Sequence, residues 1–377
     1  MKIESLCLHA LRDVSQNKGA VSVPIYQTAT FSRSAVGEGS GYDYSRVQNP
    51  TREHAERLIA ILENGTEGLA FSSGMAAIAA MMELFSPGDE IITSEDLYGG
   101  SLRYFDLISE KNGLKIRRIN TSNLSAVEKS ITEKTRGIFI ESPTNPMMNI
   151  TDIAGVKRII GERPIILMAD NTFLSPYFCR PITLGADIVI HSGTKYLGGH
   201  NDTLAGFLVT ANSELGEKLK LIQKTTGAVL SPFDAFLIIR GIKTLPLRME
   251  KSQDNAFKIA AWLKQHARVK KVYYAGLPDH PDLEVSKRQG TGFGGMLSFS
   301  VDSSETAERV LSRLNLILFA ESLGGTESLM TYPFTQTHSY IPEEERIARG
   351  IDRKLLRLSV GIEDPDDLIE DLANALS

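Results

Sequence analysis

Four short segments, FSSGMAA, IESPTNP, MADNTF and IHSGTKY, each set polar residues directly after an apolar run. In the last of them, Ser192-Gly193-Thr194-Lys195 puts a lysine beside two hydroxyls. A partly desolvated lysine near positive charge has a lowered pKa and becomes a nucleophile, able to form a Schiff base while Ser192 and Thr194 hold a phosphate. The same short motif also describes a solvated surface lysine. Asp170 ends the run IILMAD, 25 residues before Lys195. A buried carboxylate without a partner is costly. Asp170 therefore either caps a turn with Asn171 or faces the pyridine nitrogen of pyridoxal phosphate (PLP), keeping it protonated so that the ring takes up electrons. Ser72-Ser73-Gly74-Met75 opens a run of good helix formers, where bare amides bind phosphate and Gly74 permits close approach. A serine helix cap is the plainer reading of that segment. Tyr98, in EDLYGGS, is either a packing residue or a plate stacked on a cofactor ring. Asn145, flanked by Pro146, suits a turn or a hydrogen bond to a cofactor's phenolic oxygen. Singly each residue stays ambiguous. Together they supply a lysine, a carboxylate, a phosphate cradle and an aromatic plate.

A frame is needed that brings all of them to one edge. The runs GLAFSS, EIITS, KIRRIN, GIFIES, IILMADN, DIVIHS and GFLVT read as strands. Between most of them lie helical stretches such as MAAIAAMMELF, SLRYFDLISEK, LSAVEKSIT and IAGVKRIIG. This alternation predicts an α/β fold with a mostly parallel, doubly wound sheet, whose ligands bind beyond the carboxyl ends of the strands. The early residues, rich in Ser, Gly, Thr and Pro, read as an extended arm over 1–51. EHAERLIAILENG then reads as a helix stopped by Asn64-Gly65. Residues 52–234 form the expected cofactor-binding domain. From 235 to 377 the rhythm differs: the helix NAFKIAAWLKQH, strands GGMLSFSV, LILFAES and LLRLSVGI, and helices TAERVLSRLN and DLIEDLANAL predict a smaller α+β substrate domain.

Composition narrows the classes. The 377 residues are 42% hydrophobic and 23% charged, with a formal net charge of −5 and no run of Lys and Arg. A chain of this kind buries a sizeable core and gives no sign of binding nucleic acid or an anionic membrane. The apolar stretch Ala76 to Phe85 is interrupted by Glu83 and too short to span a bilayer. MKIESLCLHALRDVSQ lacks the apolar core of a signal peptide. Cys7 and Cys179 make neither a disulfide framework nor a metal-ligand spacing, so no metal is expected and a reducing cytoplasm is the simplest compartment.

Ten blocks then fall in one order: VPIYQTATF, DYSRVQNPT, FSSGMAA, DLYGGS, ESPTNP, ADNTF, DIVIHSGTKYLGGHND, RGIKTLPLRM, AESLGGTESL and LRLSVGIED. Over nearly the whole chain they resemble the Cys/Met-metabolism family of fold-type I (aspartate aminotransferase-like) PLP enzymes, which make or break carbon–sulfur bonds in trans-sulfuration. The resemblance implies that Lys195 carries the cofactor, Asp170 pairs with its ring nitrogen and Tyr98 stacks on it. Gly74 and Met75 by backbone, with Ser192 and Thr194 by hydroxyl, would hold the phosphate. Tyr44 and Arg46, on the arm, would reach the phosphate of a neighbouring subunit in a homotetramer built as a dimer of dimers. Arg357 would fork the substrate's α-carboxylate, with Ser322 and Asn145 orienting the substrate.

Within the family, methionine γ-lyases carry a cysteine where this chain has Gly100, and lack an acid at Glu321. Asp43 and Glu321 could receive a distal ammonium and Arg103 a distal carboxylate, or each could be a surface charge. If functional, they suit cystathionine better than methionine. GEGSGYDYSR, YPFTQTHSYIPEEERIARG and SVGIEDPDDLIEDL resemble bacterial cystathionine γ-synthases that are also O-acetylhomoserine thiol-lyases. Val47 stands where some succinyl-ester-using synthases have a second arginine, which favours O-acetyl-L-homoserine. The reaction expected is γ-replacement by L-cysteine, giving cystathionine in methionine biosynthesis, with sulfide as an alternative nucleophile. Elimination by a cystathionine γ- or β-lyase, or of methionine γ-lyase type, is the alternative. A non-catalytic PLP-binding regulatory protein is a remote third.

Overall fold

The computed structural model describes residues 1–11 and 17–377. The chain opens with α1 (Ile3–His9), the small hairpin β1 (Arg33–Ala35) and β2 (Glu38–Gly39), and α2 (Pro50–Leu62). Asn49 caps α2, its side chain accepting from the amides of Thr51 and Arg52, and Pro50 opens the helix. Asn64, at φ 60°, then ends the helical run as a residue tolerant of the left-handed region.

All seven strands expected before residue 211 form: β3 (Glu67–Phe71), β4 (Glu90–Ser94), β5 (Lys115–Ile119), β6 (Thr135–Glu141), β7 (Ile166–Asp170), β8 (Ile188–Ser192) and β9 (Gly206–Thr210). They make one sheet in the order β3-β9-β8-β7-β6-β4-β5, parallel except for β9, which runs antiparallel to both neighbours. Both faces are covered, as apolar parallel strands require. Ile140, Leu167, Ala169 and Val189 enter the core on one face, and Phe139, Met168 and Ile190 that on the other. Because successive side chains point to opposite faces, Glu141, Asp170 and Ser192 emerge on the second face, at the carboxyl ends of β6, β7 and β8. On that face lie α3 (Gly74–Met82) and α4 (Gly99–Asn112), whose Ala77, Ile78, Met81, Phe105 and Ile108 join the same core. The helices α5 (Leu124–Ser130), α6 (Ile153–Ile160), α7 (Ser175–Phe178) and α8 (Ser213–Thr226) complete the layers.

The core does not change at residue 235. The helix α9 (Pro232–Ile242) lies against α2, and the first core continues through Leu245 and Met249 of α10 (Leu245–Leu263). The second core begins at Ala256, inside the same helix. The changeover therefore falls mid-helix, where no Pro or Gly breaks the chain and the polar run 250–255 keeps the helical spacing of buried residues through Ser252 and Asn255. Beyond it come β10 (Val269–Tyr273), α11 (Leu283–Gln289), β11 (Met296–Val301), α12 (Ser304–Arg313), β12 (Leu318–Phe319), β13 (Leu329–Thr331), α13 (Glu343–Ala348), β14 (Leu355–Ser359) and α14 (Pro365–Leu376). The five strands form a mixed sheet, order β10-β11-β14-β13-β12.

Two sequence expectations need correction. The arm is not wholly extended: α1 buries Cys7 against the first core, while Arg12–Gln16 lie outside the described residues. The strand expected over LILFAES is only Leu318–Phe319, because the chain then leaves the sheet and Ser322, at φ 124°, turns towards the cofactor domain. Among the described residues, no helix is long and apolar enough to cross a membrane.

Candidate active site

A cavity of about 340 Å³ opens at the carboxyl edge of the large sheet, within the roughly 300–1,000 Å³ range of small-molecule sites. Its lining includes Gly74, Met75, Tyr98, Glu141, Asn145, Asp170, Ser192, Thr194, Lys195, Glu321, Ser322 and Arg357. Ser73 and Arg357, 284 residues apart in sequence, thus meet because six strands end at one edge and the second domain closes over it.

Lys195 follows β8 and donates from Nζ to Ser322 Oγ at 2.7 Å. Burial, helped by the Arg357 guanidinium and opposed by Glu321, pushes its pKa from 10.5 down to about 8. The amine thus has a substantial neutral, nucleophilic fraction near neutral pH. Since only that fraction condenses with an aldehyde, PLP uptake by the cofactor-free protein should quicken as pH rises, with a midpoint near 8; stopped-flow absorbance measures it. A midpoint near 10.5 would mean an unperturbed, solvated lysine.

Asp170 accepts the Thr172 amide at 2.9 Å. Burial raises its pKa, against the lowering effect of its hydrogen bonds from Thr172 and of nearby His191. Its cross-strand neighbour in the β6–β7 register is Glu141, which burial first and Asp170 second push well above the carboxylic range. Two buried acids side by side leave one strong place for a cation, as a protonated ring nitrogen would be. On the phosphate side, Ser73 caps α3 by accepting from Ala76 N, and the first-turn amides lack intrahelical acceptors. A Cβ on Gly74 would stand 3.1 Å from Ser192 Cβ, so this corner is shaped by the absence of a side chain. Thr194 Oγ1 accepts from Ala205 N at 3.0 Å.

Tyr98 lies at the mouth, 43% exposed, its amide bonded to Glu141 Oε2 at 3.1 Å. A Cβ on Gly100 would come within 2.4 Å of the Tyr98 ring, so any side chain there would displace it. Arg357 is buried on β14, with Nη1 donating to Asn145 Oδ1 at 2.8 Å and Nη2 to Ser322 O and Thr331 Oγ1. Burial pushes its pKa down to about 10. Its Nε is buried with no hydrogen-bond partner among the described residues. A buried donor in that state is costly, and an α-carboxylate in the cavity would satisfy it. The residues present therefore fit PLP and an amino acid together.

Known proteins are similar to this chain over its whole length. The family model described as "Cys/Met metabolism PLP-dependent enzyme" matches residues 4–377. The chain belongs to that family. The family's cofactor is PLP, and its chemistry is trans-sulfuration. Relatives include a cystathionine γ-lyase of Bacillus subtilis, 48% identical over 376 residues, which covers 100% of this chain and 99% of that protein. A cystathionine γ-synthase/O-acetylhomoserine (thiol)-lyase of the same organism is 49% identical over 358 residues, 95% of this chain and 92% of that one. Among solved structures, cystathionine γ-lyase of Lactobacillus plantarum complexed with L-serine matches at TM-score 0.97 and 44% identity, covering 100% and 98% of the two chains. Cystathionine γ-synthase of Xanthomonas oryzae pv. oryzae in complex with cystathionine matches at TM-score 0.97 and 37% identity, with the same coverage.

Four expected residues of this family member stay outside the cavity in the single chain. Tyr44 and Arg46 lie on the arm, with Arg46 5.6 Å above the Tyr44 ring and bonded to the Lys224 carbonyl. Asp43 is exposed and paired with Arg33 at 2.8 Å. Arg103 is on the exposed side of α4. Of the three charges read as receptors for distal groups, Glu321 alone lines the cavity. Sequence reasoning missed Glu141, although it ends the strand that delivers Asn145. It also missed Thr337, which lines the cavity, and buried His338 beside it; both sit in YPFTQTHSYIP, which has no recognisable period.

Proposed function

We propose that the protein is a cystathionine γ-synthase that joins L-cysteine to O-acetyl-L-homoserine at Cγ and releases acetate. The observation that carries the reading is Glu321, an acid with no ion pair among the described residues, at the cavity that also holds Arg357 and Lys195. One anion receptor and one cation receptor fit an amino acid bearing a second, distal ammonium. In this reading Lys195 holds PLP covalently and Asp170 pairs with its ring nitrogen. Tyr98 covers the ring, and Gly74, Met75, Ser192 and Thr194 hold the phosphate. Bound PLP supplies an electron sink conjugated with the substrate's amino group. Arg357 holds the α-carboxylate through its free Nε, and Ser322 and Asn145 fix that guanidinium. Lys195 Nζ moves protons at Cα and Cβ. Acetate leaves Cγ and the cysteine sulfur bonds there, its proton leaving to solvent or base.

The assembly follows from the same reading. Tyr44 and Arg46 complete the phosphate site of a second copy, in a homotetramer in the cytoplasm. Mixing Arg46→Ala chains with Lys195→Ala chains should then restore part of the activity, since one site per mixed dimer keeps both residues. Mixed dimers without recovery would assign Arg46 to its own chain's site.

Glu321→Gln should lower kcat/KM with cysteine about 5-fold, the size of a partly screened charge pair, while sulfide, which has no ammonium, is used as before. Equal losses with both would reduce Glu321 to a general role. Arg103→Ala follows the same comparison, and its exposure limits the effect to that of a surface pair.

A second reading is cleavage of cystathionine, by γ- or β-elimination. It is favoured by the similarity to γ-lyases at 48% and 44% identity. Assays with cystathionine alone, set against ester plus cysteine, separate the two.

A further inference from the structure

The peptide linking Leu97 to Tyr98 is held at both of its polar ends. Its N–H donates to Glu141 Oε2 at 3.1 Å, and its carbonyl accepts from His338 Nε2 at 3.2 Å. The same two side chains flank the backbone of Asn145. Its carbonyl accepts from His338 Nε2 at 3.1 Å, and its amide lies near enough to Glu141 to favour the charged carboxylate. With two carbonyls facing Nε2, that nitrogen carries the proton, and Nδ1 accepts from Thr337 Oγ1 at 2.8 Å. Burial pushes the His338 pKa down to about 4, so the ring is neutral near pH 7. The loop bearing His338 sits flush on the start of α4: a Cβ on Gly99 would lie 1.9 Å from the Thr337 carbonyl. Tyr98 is the half-open ring at the cavity mouth, and Asn145 Oδ1 is the acceptor that orients Arg357.

We propose that Glu141 and His338 act together as positioning residues, clamping the Leu97–Tyr98 peptide and Asn145 so that the aromatic plate and the carboxylate-binding arginine keep a fixed relation across the cavity. Glu141 reaches them from the end of β6 and His338 from the loop after β13, so the clamp also ties the second domain to the first. The inference rests on the PLP site and is independent of the choice between synthesis and cleavage.

The test uses PLP-saturated holoenzyme and whichever carbon–sulfur substrate the wild type turns over. His338→Ala and Glu141→Ala should each lose about 10- to 100-fold in kcat/KM, the effect of misplacing reacting groups by up to an ångström. Both should also change the visible circular dichroism of the bound cofactor, because the ring above it moves. His338→Gln restores a donor and Glu141→Gln an acceptor, so each should recover most of the loss and the wild-type spectrum. Where an Ala variant fails to fold, His338→Phe and Glu141→Leu keep the volume without the hydrogen bonds and take its place. Wild-type kcat/KM and circular dichroism in the folded variants, or a lower Tm as their sole change, would overturn the proposal.

Discussion

Lys195→Ala should abolish both turnover and the visible absorbance of protein-bound PLP while the chain still folds. The side chain is placed for two tasks at once. Among the described residues its Nζ is the one lysine amine lining the cavity, held at 2.7 Å from Ser322 Oγ and depressed to a pKa of about 8. An amine that both anchors the cofactor and moves the substrate's proton cannot be replaced by solvent. General base catalysis alone is worth about 10²- to 10⁴-fold, and loss of the covalent anchor adds to it. The fold should survive, because removing a desolvated amine relieves a cost. Far-UV circular dichroism checks folding, absorbance checks the cofactor, and turnover is the deciding number. Activity near wild type in the folded variant would exclude Lys195 from the chemistry and revive the reading of a non-catalytic PLP-binding protein.

Asp170→Asn should still bind PLP yet lose roughly 2–4 kcal/mol in kcat/KM, about 30- to 1,000-fold, since each unit of pKa preference for the protonated ring nitrogen corresponds to about 1.4 kcal/mol. The isosteric amide keeps the Thr172 contact but carries no charge. Asp170 stands against Glu141 in register, and burial disfavours two anions there. A protonated ring nitrogen relieves that repulsion; an amide gives it no reason to hold its proton. The variant's pH–rate profile and kcat/KM check this. Near-normal kinetics would leave Asp170 as a turn residue.

The large sheet was legible because its strands are continuous apolar runs ending in polar residues. Lys195, Asp170, Tyr98 and Gly74 could be read off those ends, since in such a sheet the ends meet. The second domain was less legible. VKKVY, the strand β10, alternates too weakly to stand out, and LMT of β13 is too short to show a period. LILFAES looked like a strand by composition, yet tertiary demand bends it after Phe319 to bring Ser322 to Lys195. Helix α10 hid the changeover between cores because its buried residues run on from Met249 to Ala256 without a break. Glu141 and His338 went unread for a related reason. Their roles lie in contacts with backbone groups 43 and 241 residues away, which no local pattern encodes.

Product analysis of the holoenzyme with O-acetyl-L-homoserine and L-cysteine, run beside the same enzyme with cystathionine alone, tests the proposed function most directly. The account predicts cystathionine and acetate from the first mixture at a rate well above any breakdown of cystathionine in the second. No cystathionine from the first, with cysteine, 2-oxobutyrate and ammonia released from the second, would contradict it and make the protein a lyase.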